Sequence, residues 1–242
     1  MINSEIIFKA ESLRRSWDID NVSPLNILQC VLENVDDLTI LWFPMIEEVS
    51  GCCSKTGDDK IICLNSKHSK GRQNFTLAHE LYHLLFEDEV DSFICNVNSD
   101  SESEKNANDF ASSLLIPNIA LNEFMNRNEI DKWQLKDIVK CEQYFQISHI
   151  AMLCKLRREK LISYDKFLSF KPNVKRSAWN LGYDLSLYEP TKEHYSLGKI
   201  IQLSNMAYDN GKITGGKYDE ILLNIFRSDM VYNTLQEDDM IV

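Results

Sequence analysis

Apolar and polar residues follow one another along the chain in patterns that predict both helices and strands. Residues 5–17 carry apolar side chains at helical spacing, and the pair Ser23-Pro24 is typical of the start of a second helix. Residues 38–43, Leu-Thr-Ile-Leu-Trp-Phe, predict a strand by their β-branched and aromatic content. Two short runs on either side of Gly57-Asp58-Asp59 predict a hairpin. The first part of the chain is therefore expected to combine helices with a small sheet.

Residues 75–86 combine an apolar helical stripe with two histidines and a glutamate. His79 and His83 are four residues apart, so both imidazoles leave the same face of a helix. This spacing is typical of two metal ligands, and Glu80 would project beside the metal, where it could take a proton from a bound water. The alternative is a core helix with two hydrogen-bonded histidines, although buried helices rarely hold such a set without a partner.

A second segment, residues 101–117, predicts a helix with a Ser-x-x-Glu capping box at its start and a proline at its end. Sites of the His₂Glu type can take their third ligand from a carboxylate downstream of the two histidines, which points to Glu104. Glu102 is the rival ligand, but it is out of phase with the buried stripe of this helix. Asn108 shares a face with Glu104 and could hydrogen-bond a ligand histidine, whereas the plainer interpretation is a solvent-facing side chain.

The two segments together resemble the ImmA/IrrE family of metallo-endopeptidases. The matching motifs are R-x-x-F-T-x-A-H-E-x-x-H-L-L over residues 72–85 and E-x-x-A-N-x-F-A-x-x-L-L-x-P over residues 104–117. The resemblance implies a compact zincin-like domain that binds Zn²⁺ and hydrolyses peptide bonds. It assigns the metal ligands to His79, His83 and Glu104, and the catalytic base to Glu80.

Members of this family cleave helix-turn-helix repressors and so release genes, which implies a repressor of that kind as the protein partner. One departure from the family pattern is Tyr82, because the family usually has glycine before the second histidine. The larger side chain is expected to add bulk near the site and to affect the shape of the pocket, not metal binding.

Composition and charge limit the partners. The chain has 242 residues, of which 44% are hydrophobic and 26% charged, as in ordinary globular proteins, and its net charge is −11. Proteins that bind nucleic acid need basic surface, so this charge disfavours direct DNA binding and mildly favours a basic protein or peptide partner. No apolar run approaches the length of a transmembrane helix, and the first residues lack the apolar core of a signal peptide, so no membrane partner is expected.

Seven cysteines are scattered along the chain without a Cys-x-x-Cys pair, which favours a cytoplasmic protein with reduced thiols. Cys52, Cys53 and Cys63 are close enough in sequence to suggest a metal site. Adjacent cysteines on a strand point to opposite faces, however, so these three converge poorly and buried structural thiols are expected instead.

Residues 128–168 predict a helix-turn-helix pair, with Asp131 and Ser148 as the helix caps. Basic residues between positions 155 and 160 give this pair a basic end, which would suit DNA. The net negative charge of the chain favours a packing module with a solvated basic face. His149, at the start of the second helix, is expected at the surface.

The connecting segments carry further expectations. His68, in the polar loop before the metal helix, is expected to be an exposed histidine, with polarisation of a substrate carbonyl as the alternative. The hairpin beside the metal helix resembles the edge strand that pairs with substrate in zincins, and an ordinary sheet edge is equally compatible. The acidic segment 88–103 predicts a mobile connection or flap, residues 170–190 predict a linker, and two helices are expected over 195–210 and 216–226.

The sequence thus predicts an α+β fold in three parts. These are a zincin-like metallopeptidase domain of a small sheet plus active-site helices over residues 1–127, a helix-turn-helix-like helical module over 128–168, and a linker with a mainly helical C-terminal region over 169–242. The leading function is a zinc endopeptidase acting on a cytoplasmic helix-turn-helix regulator. The alternatives are a non-proteolytic zinc-fold protein that binds or senses such a regulator, and a DNA-binding regulator based on residues 131–160. The intact Glu80 favours the enzyme, because a metal scaffold alone needs no base.

Overall fold

The computed structural model describes residues 4–87, 93–96 and 101–232. In these residues the predicted α+β fold is confirmed, with a small mixed sheet covered by helices and a mainly helical C-terminal region. The chain begins with the helices α1 (Ser4–Ser16) and α2 (Ile27–Asn34). The predicted start of α2 at the Ser-Pro pair is wrong, because Asn26 caps the helix by accepting a hydrogen bond from the Gln29 backbone N–H.

The sheet has five strands in the order β4-β2-β3-β1-β5. They are β1 (Leu38–Phe43), β2 (Val49–Thr56), β3 (Asp59–Asn65), β4 (Phe93–Asn96) and β5 (Tyr195–Gly198). Strands β1 and β3 are parallel, and the other neighbouring pairs are antiparallel. The predicted strand over 38–43 and the predicted hairpin are confirmed, and Gly57 takes the positive φ of +62° in the hairpin turn.

The expectation of a free sheet edge at the hairpin is wrong, whereas the mobile connection or flap over residues 88–103 stays a prediction. Strand β2 lies between β3 and β4, so the hairpin does not offer its β2 side as a free sheet edge. Strand β4 also shows that segment 88–103 contains regular structure, although residues 88–92 and 97–100 of the predicted flap lie outside the described residues. The short strand could not be recognised because strand pairing depends on a partner distant in sequence.

Helix α3 (Lys70–Phe86) packs across β2 and β3, and α4 (Glu102–Leu115) packs beside α3. The predicted start of α4 is confirmed, because the hydroxyl of Ser101 accepts a hydrogen bond of 3.2 Å from the Glu104 backbone N–H. Helix α1 packs on α4, and Arg14 fixes it there: the fully buried guanidinium donates a 2.8 Å hydrogen bond to the carbonyl of Leu114.

Four helices follow: α5 (Asn118–Arg127), α6 (Leu135–Phe145), α7 (His149–Arg158) and α8 (Tyr164–Phe170). Helices α6 and α7 form the predicted pair, and Ser148 caps α7 as expected. The predicted cap at Asp131 is wrong, because α6 begins four residues later with a capping box formed by Gln134 and Asp137. One buried apolar cluster continues from Ile6 to Phe167. The division of the chain at 127 and 168 stays a prediction.

The C-terminal region contributes α9 (Val174–Asn180), a 3₁₀ turn (Ser186–Tyr188), β5, α10 (Lys199–Asp209), α11 (Gly215–Asn224) and α12 (Ser228–Val231). The predicted linker over 170–190 is wrong, because this segment packs on α6 through a small buried cluster of Val139, Ala178, Leu187 and Tyr188. The two predicted C-terminal helices are present, except that β5 takes the first residues of the former. Across the described ranges, no helix combines the length and apolar character needed to cross a membrane.

Candidate metal centre

Helices α3 and α4 bring three metal-ligand side chains to one point. The Nε2 atoms of His79 and His83 lie 3.2 Å apart. One carboxylate oxygen of Glu104 lies 3.1 Å from Nε2 of His79, and the other lies 3.7 Å from Nε2 of His83. All three side chains are buried, and in the part of the chain that the structure describes they are the only group of three or more His, Cys, Asp or Glu side chains close enough to share a metal.

The outer nitrogens of both imidazoles are held by other side chains. Nδ1 of His79 lies 3.1 Å from the Asn108 side-chain oxygen, and Nδ1 of His83 lies 2.8 Å from a carboxylate oxygen of Glu87. Each of these oxygens accepts the Nδ1–H hydrogen, which leaves the Nε2 lone pairs directed at each other and at Glu104. Both rings therefore present Nε2 to the space that they share with Glu104, as metal ligands would.

The charge distribution of this group suits a cation. Three acceptor groups that face one another in a buried space repel unless a proton or a cation lies among them. Burial lowers the pKa of His79, but the hydrogen bond that the protonated ring donates to Glu104 and the charge of Glu80 outweigh this effect and raise that pKa above its ordinary value. The negative charge that retains a proton here would also retain a divalent metal. Two imidazole nitrogens and one carboxylate are a zinc ligand set, so these residues fit Zn²⁺.

Glu80 is wholly buried between α3 and β2, beside the metal group. Its carboxylate lies against Gly51, where an added Cβ would be 3.1 Å from Oε1 of Glu80 and 2.7 Å from Cγ2 of Thr76. Strand β2 thus packs directly on α3 at this position. Cys53, two residues further along β2, also faces Glu80: burial, and then the negative charge of Glu80, raise the pKa of the Cys53 thiol.

A cavity of about 830 Å³ lies at the metal group. Its lining comes from α3, α4 and the loop before α3, and also from α7, α9 and the 3₁₀ turn. Its lining includes His79, Glu80, Glu104, Ile150, Ala151 and Val174. The predicted helix-turn-helix pair therefore contributes to the lining of this cavity through α7.

His68 lines this cavity and is only 4% exposed, so the expected exposed loop histidine is wrong. Its Nε2 lies 3.3 Å from the carbonyl oxygen of Glu47. The side chain of Gln73 donates a 2.7 Å hydrogen bond to the His68 carbonyl and so folds the loop onto α3. Burial, and then the positive charge of Arg72, lower the pKa of His68, which favours a neutral imidazole.

His149 is also buried, with 6% exposure, so its expected position at the surface is wrong. Its Nδ1 pairs with the buried carboxylate of Glu142, and its Nε2 lies 2.9 Å from the carbonyl oxygen of Phe170. The residue therefore joins α6, α7 and α8. The local sequence could not predict that His149 is buried, because both of its hydrogen-bond partners lie in other helices.

At the basic end of α7, Lys155 and Arg158 turn toward the protein, whereas Arg157 and Lys160 are exposed. Lys155 is almost fully buried, donates to the side chain of Asn118 and lies 3.2 Å from a carboxylate oxygen of Glu159. Arg158 donates to Asp109 of α4 through one guanidinium nitrogen and to a serine of the same helix through another. Both cations pair with other side chains of the protein. This geometry fits the interpretation of α6 and α7 as a packing module and not as a DNA-binding one.

Tyr82 does not narrow the pocket, contrary to the expectation. Its side chain is 5% exposed, and its ring packs at centroid distances of 5.6 Å and 5.5 Å on Phe86 and Phe110. It is not one of the residues that line the cavity. The residue follows His79 by three positions on α3, and its side chain packs into the apolar core on the α4 side of the helix.

The three cysteines of the hairpin do not converge. Cys52 and Cys63 are directly opposite each other in the β2–β3 register, whereas Cys53 is buried on the other face of β2, toward α3. All three are free thiols. The expected buried structural thiol is found at Cys53, whereas Cys52 and Cys63 are only half-buried.

A small sheet, a helix with His-Glu-x-x-His and a carboxylate from the next metal helix define a zincin-like metallopeptidase fold and site. Residues 47–157, somewhat less than half of the chain, match the model of peptidase family M78, described as the IrrE N-terminal-like domain. This match confirms the resemblance to the ImmA/IrrE family that the motifs of residues 72–85 and 104–117 predict. A comparison with curated proteins finds no match.

Glu87 is the residue of this centre that the sequence motifs do not point to. It follows His83 by four positions, the same spacing that brings the two histidines together, and this spacing is the signal that could have identified it. Glu87 comes just after the last residue of α3, and the four-residue spacing predicts a shared face only for residues within one helix. The sequence therefore did not indicate that Glu87 lies beside His83.

Proposed function

We propose that the chain is a zinc-dependent endopeptidase that cleaves a helix-turn-helix repressor or a similar cytoplasmic regulator. The observation that carries the proposal is the convergence of His79, His83 and Glu104, with both imidazoles oriented by further hydrogen bonds. A bound Zn²⁺ would supply Lewis acidity and lower the pKa of a coordinated water. The match to a peptidase family supports hydrolysis of a peptide bond as the reaction.

Glu80 is proposed as the general base because it lies beside the ligands and is not one of them. Its carboxylate would accept a proton from the attacking water and return it to the leaving amine. Burial against Gly51 and Cys53 excludes bulk water from one side of this carboxylate, which favours proton transfer at the cavity side. The cavity between α3 and α7 is large enough for several residues of an extended peptide.

The nature of the substrate is inferred from the family resemblance together with charge. The chain carries a net charge of −11, which supports a regulator with basic surface, as DNA-binding proteins have. The inward pairing of Lys155 and Arg158 supports a role of α6 and α7 in packing and in the cavity wall, not in direct DNA binding. The reaction is proposed to take place in the cytoplasm, where such regulators act.

Glu80→Gln tests the proposal, because it keeps the size of the side chain and removes its basic oxygen. The purified chain, loaded with zinc, is incubated with the helix-turn-helix regulator encoded nearest to it, with and without a chelator. We expect cleavage by the wild type, loss with chelator, and at least a roughly hundredfold slower rate for Glu80→Gln with zinc retained. Equal rates for both proteins would refute Glu80 as the base, and binding of the regulator without cleavage by either would favour the non-proteolytic alternative.

A further inference from the structure

Glu87 makes two separate contacts with His83. Its backbone N–H donates a 3.3 Å hydrogen bond to the His83 carbonyl at the end of α3, and its carboxylate lies 2.8 Å from Nδ1 of the ring. The His83 side chain has no exposed surface, and that of Glu87 is 19% exposed. One residue therefore fixes both the backbone and the ring of a predicted ligand.

The second oxygen of the same carboxylate accepts a hydrogen bond from the hydroxyl of Ser103 on α4. Ser103 immediately precedes Glu104, the predicted third ligand. The carboxylate of Glu87 thus connects the last turn of α3 with the first turn of α4, and these are the turns from which His83 and Glu104 project.

The position of Glu87 is unfavourable for α3 itself. The C-terminal end of a helix carries partial negative charge from its free carbonyl groups and favours Lys, Arg or His there. A carboxylate at this point needs compensation from elsewhere, and the structure provides it through His83 and Ser103. The presence of a carboxylate at this position is therefore explained by its contacts in the predicted metal centre and not by the stability of α3.

We infer that Glu87, acting together with Ser103, is a positioning residue that sets the metal affinity of the centre. This inference rests on the proposed function. A carboxylate that accepts the Nδ1–H hydrogen fixes the ring orientation and makes Nε2 a stronger electron donor to a metal. Asn108 holds His79 in the same way through a neutral amide. The link to Ser103 in addition sets the separation between His83 and Glu104, on which a shared metal depends.

The test measures zinc affinity of the full chain by competition with a chromophoric chelator. The variants are Glu87→Gln, Ser103→Ala and the double variant. Glu123→Gln is the matched control, because Glu123 is half-exposed, pairs with Arg127 on the outside of α5 and does not line the cavity. The visible spectrum of the Co²⁺-loaded proteins, which responds to ligand geometry, and the melting temperatures of the metal-free proteins are recorded alongside.

We expect Glu87→Gln to weaken zinc binding about 10- to 100-fold and to change the Co²⁺ spectrum, while the control matches the wild type. Ser103→Ala should weaken zinc binding less, and the double variant should lose less than the two single losses combined, because both act through one carboxylate. Without metal, Glu87→Gln should have the same melting temperature as the control.

Two results would overturn the inference. One is zinc affinity in Glu87→Gln equal to that of Glu123→Gln. The other is a lower melting temperature of metal-free Glu87→Gln with unchanged zinc affinity, which would make Glu87 a structural contact only. Failure of the proposed function would look different, since the wild-type chain itself would then bind no zinc, or would bind zinc without cleaving the regulator.

Discussion

The side-chain oxygen of Asn108 lies 3.1 Å from Nδ1 of His79 and so connects α4 to the ring of a predicted ligand on α3. Glu104 and Asn108 are four residues apart on α4. Glu104 therefore faces Nε2 of the His79 imidazole at 3.1 Å, while Asn108 faces Nδ1 of the same ring. A single helical turn thus both supplies one predicted ligand and orients another, so the geometry of the predicted centre depends on the α3–α4 contact.

The first prediction concerns Asn108. Asn108→Ala removes the acceptor of the Nδ1–H hydrogen and frees the ring to rotate, so zinc binding should weaken about 10- to 100-fold. Asn108→Asp keeps an oxygen at the same position and makes the acceptor a carboxylate, so it should bind zinc at least as tightly as the wild type. Zinc affinity is measured by chelator competition. Equal affinity of Asn108→Ala and wild type would return Asn108 to the plainer interpretation of a polar surface residue.

The second prediction concerns the number and identity of the metal ligands. We expect one zinc per chain, and we expect His79→Ala and Glu104→Ala to lose it because each removes one donor of three. Glu102→Ala is the matched control, since Glu102 lies on the same turn of α4 but is exposed and stands outside the group. Elemental analysis of the purified proteins gives the zinc content. Full retention by Glu104→Ala with loss by Glu102→Ala would reassign the third ligand.

Local spacing was enough to predict most of this centre. His79 and His83 meet because both lie on one helix, and the phase of Glu104 relative to the buried stripe of α4 separates it from Glu102. The start of α4 was also predictable, because its cap lies within three residues of the helix. In each case the residues are separated by about one helical turn, and helix geometry alone determines that such residues lie close together.

Burial of single polar residues was not predictable in the same way. His68 is buried because Gln73 folds its loop onto α3, and His149 is buried because it meets Glu142 and Phe170. These partners are determined by tertiary packing, which overrides the polar character of the local sequence. Strand β4 was missed for a related reason: it is defined by its pairing with β2 and not by its own four residues.

The third prediction concerns Gly51, which has no space for a side chain. A Cβ there would lie 2.8 Å from the backbone oxygen of Cys63 and 2.7 Å from Cγ2 of Thr76, so Gly51→Ala forces β2 and α3 apart. We expect a loss of about 1–3 kcal/mol in the free energy of unfolding, as for other overpacked sites. Gly216→Ala is the control, because its Cβ would meet nothing within 4 Å. Urea unfolding measures both, and equal stability of the two variants would contradict the close packing of β2 on α3.

The last prediction concerns the buried pair of Glu142 and His149. Burial lowers the pKa of His149, but the hydrogen bond and charge of Glu142 outweigh it and raise that pKa above 6.5. Burial also raises the pKa of Glu142, in spite of the opposing effect of His149. In both residues the folded state thus binds protons more readily than the unfolded state.

A raised pKa of His149 contributes stability that is fully present below about pH 6.5 and is lost as the pH rises through the folded-state value. In Glu142→Gln the remaining effect of burial lowers the His149 pKa, so its contribution changes sign. The free energy of unfolding of wild type minus that of Glu142→Gln should therefore decrease as the pH rises, by about 1.4 kcal/mol for each unit separating the two His149 pKa values. Urea unfolding of both proteins between pH 5.5 and 9 measures this difference in stability, over a range that extends about one unit or more on either side of 6.5. The NMR titration of His149 in both proteins measures the two pKa values. A wild-type pKa below 6.5, or a difference in stability that increases with pH, would contradict the ion pair.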